Sequence, residues 1–559
     1  MKRAFFLVTL MVLLLLPVVG WATDWYVRPA GGNYGNEDGT SYEDAWDGFA
    51  NIDWSSIQPG DTLWLDGSAT YSEIFWIYGS GTAEAPITIR GDYGGGRARL
   101  DASNADNKNF CIYDNAGHDG LIFRNLELTG FYIGGFKLVN DSTPTDGCDN
   151  IQILDCEIHD PVSNDDLIFA IQWHGNNCII RGNYFHDIQE ISQVIYINKH
   201  NKGTYINTDS NAKLIIEHNR FVRCNSDAYH GDGHVIGLNG GAQESRTVKH
   251  VVIRDNVFDT CGNAGPNPIV SSYNAEDVII QRNVFYNGSA RAIQVGTNCK
   301  DSYVAYNLVY GSVFYGDQPS LAGVLKLGNY TGGCTECTTA TNIYFVNNTI
   351  YGIDAEDSTH SRGAIVIACA DDGELACDHI YVENNIVYAD MPSDTSNCWE
   401  LMIYDPGNRI TDLYSDYNDW YRSTNTANFI YFKGNTYSMS QFGNYQSTEG
   451  QDADSFVSDP LLLFNYHLSH NSPCINAGTF ISGFHETALD IDGQPILGTP
   501  DIGCDERKAL WWDGRGWHIQ RMYALASTPA PPSQAGYMTF VDGAGINFKD
   551  TGGITFQDL

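Results

Sequence analysis

Ile179-Ile180-Arg181-Gly182-Asn183-Tyr184-Phe185 returns as Ile215-Ile216-Glu217-His218-Asn219-Arg220-Phe221, as Val252-Ile253-Arg254-Asp255-Asn256-Val257-Phe258 and as Ile279-Ile280-Gln281-Arg282-Asn283-Val284-Phe285. Variants surround Asn307, Asn348 and Asn385, and weaker copies lie at Asn125, Cys156 and Asn418. The asparagines from 183 to 385 are spaced 36, 37, 27, 24, 41 and 37 residues apart. A floor near 24 with irregular excess describes a coil of three short strands joined by loops of variable length. Each coil then bonds to the next at ~4.8 Å, so equivalent residues stack along an axis. Asn suits the turn because it tolerates the left-handed backbone region, and stacked Asn amides bond to one another. The phrase excludes a β-sandwich, which has no recurring wording, and a leucine-rich repeat, which needs Leu at fixed positions. The sequence thus predicts an all-β, right-handed parallel β-helix of about ten or more rungs, with Ile87 to Leu100 as an opening rung and a small C-terminal extension.

Outward from the repeat, residues 1–22 read as a secretory signal peptide: basic Met1-Lys2-Arg3, an apolar run from Ala4 to Val19, and the small-residue exit Gly20-Trp21-Ala22. An uncleaved anchor would need a run nearer ~20 residues. The expected product is secreted, beginning near Thr23. Residues 23–506 form the β-helix with its C-terminal cap. Residues 507–559 hold a Trp-rich segment, a Pro-rich linker (Thr528 to Pro532) and an eight-residue repeat around Phe540, Phe548 and Phe556.

The formal net charge of −37 repels nucleic acid and anionic membranes, which excludes both as partners. Dense carboxylates favour Ca²⁺ as a cofactor. Fourteen cysteines in an exported chain permit disulfides. Cys156, Cys224 and Cys261 recur near one point of the repeat and read as small buried residues of the core.

Chemistry concentrates in one region. Residues 174–250 carry seven of the 15 histidines, and residues 181–254 carry nine of the 31 Lys and Arg. Asn225 to His234 is its densest cluster, with His230 and His234 placed to move protons and Asp227 and Asp232 to bind a metal ion. Lys199 and His200 end a strand where a lysine can abstract an acidic proton, and Arg254 adds a cation. If side chains alternate along one strand per rung, Gln172, Tyr196, His234 or Ile236, Gln294 and Lys326 share one face, at steps that track an extended sugar chain. Each also has a plainer reading: a solvated lysine, a polar turn, a packed aromatic. Asp165-Asp166 reads mainly as a surface turn.

The two ends carry a resemblance. Asp24-Trp25-Tyr26-Val27-Arg28-Pro29, Gln58-Pro59-Gly60-Asp61-Thr62 and Ala85-Pro86-Ile87-Thr88-Ile89-Arg90-Gly91, with the closing Asp459-Pro460-Leu461, Ser472-Pro473-Cys474-Ile475-Asn476-Ala477-Gly478 and Asp501-Ile502-Gly503-Cys504-Asp505-Glu506, resemble secreted β-helix proteins of the chondroitinase B and alginate lyase-like group, in the pectin-lyase-like superfamily. The resemblance implies a carbohydrate-active protein with a polysaccharide substrate, using Lys and Arg beside Ca²⁺; a monomer is expected. In that pattern the positions of Cys474 and Cys504 hold small residues, so their joint occupation implies a disulfide clamping the cap. A polysaccharide lyase cleaving by β-elimination is the leading expectation. A β-helix glycoside hydrolase and a non-catalytic glycan-binding or adhesion protein are the alternatives, although the order of polygalacturonase motifs is absent.

Overall fold

The computed structural model describes residues 22–104, 110–140, 147–162, 169–189, 193–198, 213–224, 233–240, 247–262, 267–296, 298–314, 321–328, 339–355, 360–368, 376–390, 397–423 and 428–507, together with short strands at 510–512, 517–519, 547–549 and 553–555. Three long sheets of 14, 12 and 13 strands organise the described residues. One turn of the chain visits each sheet once: Leu121–Arg124 lies in sheet 1, Leu126–Thr129 in sheet 2 and Gly134–Leu138 in sheet 3. The next turn repeats the order with Ile151–Leu154, Glu157–His159 and Phe169–Trp173, each pairing in parallel with its predecessor. The protein is a right-handed parallel β-helix, and Ile87–Tyr93 is a rung of it.

A column of asparagines runs along the corner between sheets 1 and 2. The Asn183 side-chain amide donates to Asn219 Oδ1 at 3.0 Å, and the same bond links 219 to 256, 256 to 283, 283 to 307, 307 to 348, 348 to 385 and 385 to 418. Each oxygen also accepts the backbone N–H of the previous asparagine, and each amide donates to a strand carbonyl, as in Asn256 to Ile216 at 2.8 Å. These residues are almost fully buried, so the ladder satisfies backbone groups that water does not reach.

The structure corrects the expected job of these asparagines. The left-handed backbone falls one residue earlier, at Gly182, His218 (φ 55°), Asp255 (57°), Arg282 (53°), Tyr306 (53°), Asn347 (54°), Asn384 (59°) and Tyr417 (54°). Asn125 (54°) occupies that left-handed position, so Leu126, not Asn125, sits in the ladder column. The cysteines also divide between corners. The Cys156 backbone N–H donates to Asn183 Oδ1 at 2.9 Å, which puts it in the ladder, whereas the Cys224 and Cys261 thiols face the Phe185 and Phe221 carbonyls, both at 3.5 Å.

Inside, alternation fills a narrow core. Phe185, Phe221, Phe258 and Phe285 stack with centroids 4.7, 4.8 and 4.5 Å apart. The C-terminal end of this core is closed by the hairpin of Ile430–Phe432 and Asn435–Tyr437 and by the helix Phe442–Glu449, whose Phe442 and Tyr445 are buried in the main core. One ion pair, Glu400 with Arg422, is enclosed in this last part of the stack.

The closing segment, residues 459–506, does not cap the end; it runs back along the side. Phe484 stacks on Tyr303 at 4.7 Å, and Asn347 and Asn384 donate to the carbonyls of Asp501 and Thr479, at 2.9 and 2.8 Å. The reason is on the outside of sheet 1, where Ala305, Tyr306 and Val346 present apolar surface that Phe484, Ala488 and Ile496 cover. The expected Cys474–Cys504 bridge is also corrected. Both thiols are free and buried. Cys474 Sγ lies 3.4 Å from Asp419 Oδ2, while Cys504 lies beside Thr349, whose Oγ1 accepts its backbone N–H at 3.0 Å.

Beyond 507 the described strands are two antiparallel pairs, Leu510–Trp512 with Trp517–Ile519 and Asn547–Lys549 with Gly553–Thr555. Among the described residues no helix is long and apolar enough to cross a membrane.

Candidate functional site

The outer surface of sheet 3 gathers polar and aromatic side chains in strict register. The column reads Trp76, Tyr113, Lys137, Gln172, Tyr196, Gly237, Ser271, Gln294, Lys326, Val366, Met402 and Tyr431. Gln172, Tyr196, Gln294 and Lys326 therefore share one face. The rung between Tyr196 and Ser271 contributes Gly237 to this column, neither His234 nor Ile236. The strand His234–Asn239 turns both Val235 and Ile236 into the core, so His234 stands in the adjacent column against Gln193. Its Nδ1 lies 2.9 Å from the Pro268 carbonyl.

Gly237 and Ser271 make a saddle in the column. A Cβ on Gly237 would meet the Gln193 Oε1 at 1.8 Å, so glycine is what lets Gln193 fold over the strand. Among the described residues, the buried Gln193 Oε1 has no hydrogen-bond partner. Beyond the saddle stands Lys326, 8% exposed. Burial, and secondarily the charge of Arg291, push its ammonium down to about 7. Losing hydration penalises the charged form, and a neighbouring guanidinium adds to the penalty. Arg291 is itself 5% exposed, and its Nη2 donates to Gln294 Oε1 at 2.9 Å. Gly328 keeps the space free, since a Cβ there would sit 3.2 Å from Lys326 Cε. A near-neutral amine beside a fixed cation can take a proton from a carbon acidified by an adjacent carboxylate. Past Lys326 the face turns apolar, with Val366, Ala368, Trp399 and Met402 clustered together.

Other expected residues fall elsewhere. Arg254 is on the outside of sheet 1, where its Nε donates to Glu217 Oε2 at 2.6 Å and Arg181 pairs with the same carboxylate from the other side. That ladder of charge is structural and does not reach sheet 3. Lys199, His200, Asp227, His230 and Asp232 lie outside the described residues, as do Asp165 and Asp166. Sequence reading missed Arg291, because an arginine ahead of the strand Ile293–Val295 carries no mark of which sheet it borders. It also missed Trp76, Tyr113 and Lys137, because those rungs precede the clear repeat.

Four groups of described residues bring three metal-ligating side chains together: Glu157, His159 and His186; Glu217, His218 and Asp255; Asp378, His379 and Asp412; and His467, Asp492 and Asp505. Each contains an imidazole, a poor ligand for the hard Ca²⁺ ion. The first three sit on sheets 1 and 2 and the fourth in the closing segment, all away from the Lys326 face. Arg97 and Arg254 already neutralise Glu157 and Glu217. These groups do not fit a Ca²⁺ site serving that face.

No family model matches the chain, and no curated protein matches it. Among solved structures, the chain is similar to pectate lyase Pel9A, with 16% identity over 88% of this chain and 98% of that one, at a TM-score of 0.36. It is similar to a PL6 alginate lyase in complex with a trisaccharide, with 10% identity over 78% and 88%, at 0.37. A GH136 lacto-N-biosidase from Eubacterium ramulus shows 14% identity over 74% and 68%, at 0.33. At these scores the likenesses carry no argument about chemistry; the fold stands on the sheets and registers above.

Proposed function

We propose that the protein is a secreted polysaccharide lyase that holds an acidic glycan along the outer face of sheet 3 and cleaves it by β-elimination at Lys326. The observation that carries this reading is Lys326 itself: a buried amine brought down to about 7, beside Arg291 and Gln294, at the edge of a saddle in a continuous polar column. Arg291 offers charge to the uronate carboxylate. The neutral Nζ takes the proton α to that carboxylate, the electron pair forms the ring double bond, and the glycosidic C–O bond breaks as the leaving oxygen takes up a proton. Lys137 and Arg291 place cations on this face of a chain whose net charge is −37, which favours an acidic glycan there. Gln172 and Tyr196 line the path, and His234 borders it.

Ca²⁺ enters this reading only through Asp227 and Asp232, and Lys199, His200 and His230 remain further candidates beside them. A comparison of turnover with and without chelator tests the metal. The principal test is a screen of pectate, alginate, chondroitin and neutral glycans for a product with the ultraviolet absorbance of an unsaturated uronate. Lys326→Ala and Lys326→Arg should each remove at least ~100-fold of the rate without changing the circular dichroism. Undiminished turnover in both variants would remove Lys326 from the chemistry.

A hydrolase reading is favoured by one observation. Glu383 and Asp416 are register partners on the outside of sheet 1, and burial, then the Asp416 charge, raise the Glu383 carboxyl to about 7. New reducing ends without ultraviolet absorbance, lost in Glu383→Gln, would establish that reading instead. Binding with neither product would make the protein a glycan-binding module.

A further inference from the structure

The N-terminal end of the sheet 3 face carries an aromatic platform that the chemistry at Lys326 does not use. Phe75, Trp76, Ile77 and Tyr78 alternate: Phe75 and Ile77 enter the core, which leaves Trp76 and Tyr78 on the solvent side. Their rings lie parallel, 11° apart with centroids at 6.3 Å, and Tyr78 is 62% exposed. Trp76 contacts Tyr113 on the next rung at 4.5 Å, and Tyr113 stacks on Phe110 at 4.6 Å. Lys137, one rung further, holds its Nζ over the Tyr113 ring at 5.0 Å and the Phe110 ring at 5.5 Å.

An aromatic pair left open to water is unfavourable for the isolated chain and calls for an occupant. The register names it. Trp76, Tyr113 and Lys137 begin the same column that runs through Gln172 and Tyr196 to Gln294 and Lys326. Whatever lies along that column at Lys326 and extends toward the N-terminus meets these rings. A flat ring face with a cation beside it suits a pyranose bearing a carboxylate: the ring stacks on the aromatic and the carboxylate meets the ammonium.

We propose that Trp76, Tyr78, Tyr113 and Lys137 form a distal subsite that holds a uronate-type sugar of the same polysaccharide, far from the bond being cleaved. The inference rests on the lyase reading for its occupant. About eight rungs separate Trp76 from Lys326, or ~38 Å at ~4.8 Å per rung. At roughly one sugar ring per rung, only chains of about eight sugars or more engage both places. The protein is then a reader of chain length that favours long polymer over short fragments.

The test uses the full chain carrying Lys326→Ala, to stop turnover, with and without Trp76→Ala or Tyr78→Ala. Binding of oligogalacturonates and oligoalginates of about three and about ten residues is measured by calorimetry. The decamers should bind ~10-fold more weakly to the platform variants, and the trimers equally well. Tyr78 is exposed enough that its loss leaves the fold intact, and melting curves check Trp76→Ala. Lys137→Met should reduce the salt dependence of decamer binding. Decamer affinity unchanged in the platform variants, while the wild type cleaves decamer, overturns the subsite and leaves the lyase reading standing. Platform-dependent decamer binding without cleavage by the wild type overturns the lyase reading and keeps the subsite. No binding of any uronate chain overturns both.

Discussion

Replacing Asn256 by Ala tests whether the asparagine column holds the rungs together. Its Oδ1 accepts the backbone N–H and the side-chain amide of Asn219, both at 3.0 Å, and its own amide donates to the Ile216 carbonyl at 2.8 Å and to Asn283 Oδ1 at 3.0 Å. Alanine removes all four. Asn283 Oδ1 keeps the backbone N–H of residue 256, and the Asn219 amide keeps the Ile180 carbonyl. The Asn219 N–H and the Ile216 C=O each lose the partner that this side chain supplied, in a place with no water. At about 1–3 kcal/mol for each such loss, the column weakens by about 4 kcal/mol. A stack of repeats unfolds by parts, so the measurement should be local. Hydrogen exchange at the amides of Asn219 and Val257 should show opening easier by that amount, with rungs near Leu121 unchanged. A cost below about 1 kcal/mol would refute the ladder as a source of stability.

Turnover by the wild-type protein should rise with pH through about 7, where Lys326 loses its proton. Because the unfolded lysine holds its proton to a higher pH, this residue also makes the fold more stable as pH rises from about 7 toward 10.5, and Lys326→Met should flatten that part of a stability–pH curve. The closing segment should behave oppositely. Asp492 and Asp505 hold protonated His467 up to about 9, against burial, and burial raises Asp490 to about 8, so the folded state keeps protons that the unfolded state releases. Stability there falls as pH climbs toward 9, and limited proteolysis between residues 459 and 506 should accelerate first, earlier still in His467→Gln. Cutting the enclosed ion pair with Glu400→Ala should cost about 3–5 kcal/mol, whereas Glu400→Leu with Arg422→Met should recover most of it, as read from urea midpoints.

The rungs were legible because Ile-Ile-x-x-Asn-x-Phe repeats a physical requirement: one outward and one inward apolar residue on a strand, a corner, and a core aromatic. The corner's division of labour was not, since Gly182, His218, Arg282 and Tyr306 share a backbone conformation and no side-chain chemistry. Gln172, Tyr196, Gln294 and Lys326 were legible as one face because strand side chains alternate and the rungs stack. His234 escaped that rule where two consecutive residues turn inward. Arg254 was misplaced because charge density along a sequence does not say which of three sheets a residue faces. The pairing of Cys474 with Cys504 failed because the closing segment lies along several rungs, placing one thiol by Asp419 and the other by Thr349.

That sideways course has a mechanical consequence. A simple stack peels from either end, one coil at a time. Here Asn347, Asn384 and Asp419, on three consecutive coils, are each tied to the segment that follows the last coil. Pulling on the C-terminus loads these attachments in parallel before any strand parts from its neighbour. The C-terminal third should therefore yield as a single block under tension, and stepwise unravelling should begin at the opposite end, where Trp46, Phe49, Ile52 and Ile57 join the core.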